Sequence, residues 1–77
     1  MKITFNKKIK YLSSLEKVST KGNKYKTVVA LIDGLATNLY CPIEIPNLEF
    51  GTDLEVTLQV IYGTNFDRLE ILKLDVI

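Results

Sequence analysis

The chain has 77 residues, of which 47% are hydrophobic and 25% charged, with four glycines and two prolines. That describes one small folded domain over residues 1–77, because a core of this size does not divide between two folding units. With no histidine and a single cysteine, Cys41, the usual Cys/His zinc sites, an internal disulfide and Cys-His or Ser-His catalytic pairs are excluded. Catalytic residues, metal and cofactor are all expected to be none. The longest aliphatic run, Val28 to Ile32, is far short of the roughly 20 residues of a membrane-spanning helix. No leader pattern follows the N-terminal lysines, so the chain reads as cytoplasmic and unprocessed.

The hydrophobic period is two almost throughout. In residues 2–11, Ile3, Phe5, Ile9 and Tyr11 alternate with lysines and polar residues, which predicts a half-buried first strand. Residues 13–23 read as a loop, with Ser13 and Glu16 as a possible capping box for one helical turn. Residues 24–32 are β-branched and apolar on both faces, as in a strand covered on both sides, and Asp33-Gly34 supplies the positive φ angles of a tight hairpin turn. A third strand is predicted from Leu35 to Ile45, then a connection around Pro46 to Gly51 with room for a short helical turn. A fourth strand, Leu54 to Tyr62, has an apolar inward face. Gly63-Thr64-Asn65 predicts a second hairpin turn, and Phe66 to Val76 a fifth strand, with Leu72, Leu74 and Val76 on one face and Leu69 and Ile71 on the other. The four glycines stand singly and far apart, as turn residues do, with no phosphate-binding or dinucleotide loop. Five short antiparallel strands must hide their edges, and the predicted fold is all-β, a small five-stranded antiparallel barrel of the OB or SH3 type.

The near-neutral total hides an asymmetry. Residues 1–28 hold eight lysines against Glu16, a charge of +7, and residues 29–77 carry −6. A basic flank attracts polyanions whatever the total, since a phosphate within a Debye length of about 8 Å responds to the nearest charges; a solvated lysine-rich edge is the plainer account. Phe5, Tyr11 and Tyr62 share parity with aliphatic neighbours and read as core. Tyr25 lies between Lys24 and Lys26, and Tyr40 occupies a polar face, where an unpaired base could stack on the ring while lysines meet its phosphates. Packing across a subunit interface is the other reading of these tyrosines. Cys41, sharing parity with Leu39 and Ile43, reads as a small core residue, or else as an intermolecular contact.

The stretch Val18-Ser19-Thr20-Lys21-Gly22-Asn23-Lys24-Tyr25, followed by Tyr40 and then Pro42-Ile43-Glu44-Ile45, resembles the single-stranded-DNA-binding proteins of filamentous phages. The resemblance spans roughly residues 10–76. It implies a helix-destabilising OB barrel of a phage or mobile element that serves DNA replication, forms a two-fold homodimer and coats single-stranded DNA cooperatively without strong sequence preference. By the same resemblance Tyr25 and Tyr40 would stack bases, and Phe66 would reach DNA held by the partner subunit. Lys73 would match a basic residue seven positions later, and Lys17 and Lys21 stand beside, not on, the family's arginines. A further family tyrosine has no counterpart between Val29 and Leu35, and Glu44 lies near the place of a strand-three lysine.

The nucleic-acid-binding set expected from these two lines is Lys17, Lys21, Lys24, Tyr25, Lys26, Tyr40, Phe66 and Lys73, with single-stranded DNA as the partner, RNA left open, and no membrane. The alternative is a small β-barrel assembly module whose acidic C-terminal half meets the lysine-rich strand of a neighbour. An enzyme has little support, because Asp53, Glu55, Asp67 and Glu70 have neither a histidine nor a nucleophile beside them.

Overall fold

A computed structural model describes residues 2–62 and 67–77. Its five strands are β1 (Lys2–Val18), β2 (Lys24–Ile32), β3 (Leu35–Cys41), β4 (Asp53–Tyr62) and β5 (Asp67–Val76). They close into a ring in the order β1-β2-β3-β5-β4, and the chain is all-β, an OB-like barrel as its alternation predicts. The hairpin expected at Gly63-Thr64-Asn65, and Phe66, lie outside the described residues.

One seam of the ring is not antiparallel. β1 pairs antiparallel with β2 and β4, β2 with β3, and β4 with β5, whereas β3 meets β5 in parallel at Tyr40 and Glu70. Strand directions alternate across antiparallel pairs, and an odd ring cannot alternate all the way round. A closed five-stranded barrel therefore carries at least one parallel seam, which corrects the all-antiparallel expectation.

β1 is the strand that makes closure possible. It pairs with β4 through Lys2–Lys10 and with β2 through Lys10–Val18. At about 3.3 Å per residue its 17 residues would span about 56 Å if straight, well beyond the 33 Å longest dimension of the molecule. It bends instead, where the register shifts between Tyr11 and Ser13, as a bulge does. The predicted loop and helical turn over 13–23 are thus replaced by strand as far as Val18. The polar residues Ser13 and Ser14, poor strand formers alone, are held by pairing with Val29 and Val28.

Among the described residues ten side chains form the core: Ile9, Tyr11, Val28, Ala30, Leu39, Cys41, Leu54, Val56, Leu58 and Ile71. Every strand contributes, and each large aliphatic fully withdrawn from water is worth about 1.5–3 kcal/mol. β3 ends at Cys41 rather than Ile45, since Pro42 has no N–H to donate to a ladder. The segment beyond it still packs inward, with Ile43, Ile45 and Leu48 against the core. This connection is tied to the bend in β1, where Gly51 N–H donates to the Tyr11 carbonyl (2.7 Å) and Tyr11 N–H to the Thr52 carbonyl (2.8 Å).

Two expectations of facing are corrected. In β5 a second register shift, opposite Thr57/Leu58, pairs Leu58 with Ile71 and Val56 with Leu74. Leu69, Ile71, Leu74 and Val76 thereby share the inward side, and Leu72 turns outward. Phe5, expected in the core, is 39% exposed. It stands opposite the buried Leu58, but β2 pairs with β1 only from Lys10 onward, so no further strand covers it. The side chain of Tyr62 is outside the description.

Candidate nucleic-acid interface

Tyr25 and Tyr40 come together because of register. Thr27 pairs with Tyr40 across the β2–β3 ladder, so Tyr25, two residues before Thr27, is the diagonal neighbour of Tyr40 on the outer face. Their ring centroids are 6.0 Å apart with planes inclined at 38°, inside the range of favourable aromatic pairs. Neither ring is in the core, and both are half-buried. Thr27 beside them is buried although it faces outward, and its Oγ1 has no hydrogen-bond partner among the described residues.

The parallel seam adds a third member that sequence reasoning missed. Glu70 pairs with Tyr40 across β3–β5, which brings Arg68, two residues earlier on the same face, over the ring. Its guanidinium carbon lies 4.5 Å from the Tyr40 centroid, a cation–π contact, and Glu70 holds it from one side at 3.7 Å. Its buried Nε finds no partner among the described residues. The signal was slight, since a lone arginine in an acidic half of the chain points nowhere until the ring is closed.

Two grooves adjoin the tyrosine pair. One, of about 310 Å³, is lined by Glu16, Lys24, Lys26 and Glu44 besides the two rings, over a floor of Cys41, Pro42 and Ile43. The other, of about 410 Å³, is lined by Ser19, Asn23, Lys24 and Arg68 besides the rings. Both are in the size range of small-ligand sites. Between β1 and β2 the chain turns through Gly22, at φ +84°, with Asn23 N–H donating to the Ser19 hydroxyl (3.1 Å). This turn presents Lys21, and Lys17 stands opposite Tyr25 in the ladder.

Of the expected residues, Lys24, Tyr25, Lys26 and Tyr40 line one groove, the two lysines leaving β2 on the side opposite the rings, whereas Lys17, opposite Tyr25 in the ladder, shares the face of the rings. Lys73 does not join them. It is about 16 Å along β5 from Arg68 at ordinary strand rise, with Asp75 at 4.0 Å. Among the described residues none of Lys17, Lys21, Lys24 and Lys26 is ion-paired, whereas Lys7 is held by Asp33 (2.8 Å) and Lys10 by Asp53 (3.3 Å). The basic half of the sequence divides into a partly neutralised group near the β2–β3 hairpin and an unpaired group around the tyrosines.

Cys41 is a core residue. Its thiol donates to the Ile43 carbonyl at 3.4 Å, and burial raises its pKa from the ordinary 9.0. Among the described residues no group of three Cys, Asp or Glu side chains is arranged to hold a metal ion, and no helix is long and apolar enough to cross a membrane. No family model, curated protein or solved structure matches this chain.

Proposed function

We propose that the protein binds single-stranded DNA without catalysis, as a homodimer in the cytoplasm of a cell hosting a phage or mobile element, in the service of DNA replication. Bases stack on Tyr25 and Tyr40, and phosphates are met by Lys17, Lys21, Lys24, Lys26 and Arg68. The observation that carries this reading is the tilted tyrosine pair capped by Arg68 and bordered by unpaired lysines. A ring offers every base a face to stack on, and a cation offers every phosphate a counter-charge, so the strand is held without a fixed sequence. The ion-paired Lys73 stands apart from this path.

The test is a titration of labelled oligo-dT, the matching duplex and oligo-U at several salt concentrations. With about four phosphates neutralised per subunit, log affinity for oligo-dT is expected to fall with log salt at a slope of about −3, each phosphate contributing about −0.7. Duplex is expected to bind weakly, because the rings have no unpaired base to receive, and oligo-U reports whether RNA is also taken. A salt-independent affinity, or equal binding of duplex, overturns the reading.

A further inference from the structure

The bend in β1 does more than close the ring. Because the register shifts between Tyr11 and Ser13, Tyr11 and Ser14 face the same way, paired with Ala30 and Val28 on the inward side, as a bulge re-aims a side chain. Lys26, two residues before Val28, leaves β2 on that side too, opposite Cys41 of the core, and is the diagonal neighbour of Ser14. Residues 45–48 of the β3–β4 connection complete a cavity of about 390 Å³ with these three. It lies on the inward side of the ladder, away from the rings of Tyr25 and Tyr40.

The polar side chains of this cavity lack partners within the protein. Tyr11 is 7% exposed, yet among the described residues its hydroxyl makes no hydrogen bond. Nor is its oxygen one of the atoms sealed from water, so it opens into the cavity that the residue lines. A phenol buried this deeply ordinarily finds a partner. The Ser14 hydroxyl has none among the described residues either, and the half-buried Lys26 is in no ion pair there. No carboxylate lines the cavity. Glu16, which faces Lys26 across the ladder, and Glu44 line the groove beside the tyrosines instead.

The chemistry of these groups is one-sided. An ammonium only donates hydrogen bonds, the hydroxyls of Tyr11 and Ser14 each have a proton to give, and the Asn47 amide has two. Donors from β1, β2 and the connection approach from three elements, which suits the tetrahedral oxygens of a phosphate better than the flat pair of a carboxylate. We infer that this cavity binds a phosphate group, with Lys26 as its counter-charge and Tyr11, Ser14 and Asn47 as hydrogen-bond donors. The phosphate is carried by a small molecule or by the backbone of a nucleic-acid strand, and the recognising chemistry is the same for both. Stacking at the tyrosines is not required for it.

The experiment titrates the isotope-labelled protein with sodium phosphate at neutral pH, sodium chloride holding the ionic strength constant, and follows the backbone amides by NMR. Parallel titrations use sodium acetate and oligo-dT. Inorganic phosphate is expected to shift the amides of Tyr11, Ser14, Lys26 and Asn47 together and saturably, and to raise the melting temperature, as a ligand of the folded state does. Acetate is expected to do neither. Tyr11→Phe keeps the ring in the core and removes only the hydroxyl. In chloride it is expected to melt with the wild type, and to bind phosphate about tenfold more weakly, toward the lower end for a hydrogen bond to a charged group. Lys26→Gln is expected to abolish the saturable shifts. The same amides shifted by oligo-dT as well identify a strand's backbone as the source of the phosphate, and shifts by inorganic phosphate alone identify a small phosphorylated molecule. Phosphate acting no better than chloride or acetate overturns the inference, as does a Tyr11→Phe protein that binds phosphate as tightly as wild type.

Discussion

Tyr40 has more neighbours than a simple stacking platform requires, with Tyr25 at 6.0 Å on one side and the Arg68 guanidinium 4.5 Å from its centroid. Removing either ring should cost binding more than folding, because both lie on the outer face and neither belongs to the core. A stacked base is worth about 1–3 kcal/mol, so Tyr25→Ala and Tyr40→Ala should each lower single-strand affinity by about 5- to 150-fold. Thermal unfolding should stay near that of wild type, and a large fall in melting temperature would make the ring structural instead. Cys41 shows the opposite case. Its pKa is raised by burial, so the folded state holds the thiol proton more tightly than the unfolded chain does. Its contribution to stability is therefore complete below the ordinary value of 9.0 and is lost as pH rises past it toward the folded value. A thiol-specific chromogenic reagent at neutral pH should leave Cys41 unmodified until denaturant is added; rapid reaction of the native protein would contradict its place in the core.

The elements show which features are local. Asp33-Gly34 was legible because its geometry needs only its own two residues, and both adopt positive φ, 51° and 82°. Nothing lies within 4 Å of a β-carbon built on Gly34, so Gly34→Ala tests backbone conformation without a steric clash. It should cost about 1–2 kcal/mol, the penalty of the left-handed region for a residue with a side chain, read from the denaturation midpoint. The bulges could not be read in this way. A single inserted residue reverses the facing of everything after it, and the sequence shows only that Leu69 and Ile71 disagree in parity with Leu74 and Val76. Two faces or one bulged face explain that equally well, and β4 decides between them by pairing Leu58 with Ile71 and Val56 with Leu74. The same ambiguity hid the second half of β1, whose serines read as loop until β2 supplied their partners. The tyrosines of the candidate site and the lysines near them were legible from composition, but Arg68 was not, because the seam that brings it to Tyr40 joins strands far apart in the chain.

For the whole molecule, closing the ring hides the strand edges but leaves part of the inward side uncovered. β1 continues past the end of its pairing with β2 toward the N-terminus, and along that extension Ile3 (45% exposed) and Phe5 (39%) face the same way as Val60 and Leu58, their partners in β4. Apolar side chains aligned on one strand face and still open to water suit contact with a second copy more than with a polyanion. The lysines around the tyrosines lie at the other end of β1, so dimerisation through this extension would leave both proposed DNA sites open. One strand could then bridge two subunits, and linking two sites raises avidity without any new contact. Phe5→Asp places a charge in that face without touching the tyrosine site. Sedimentation should then report a monomer where the wild type is expected to sediment as a dimer, and affinity for an oligonucleotide long enough to span two subunits should fall. Affinity for one that fills a single subunit should hold. A dimer that persists in Phe5→Asp would place the subunit contact on another surface.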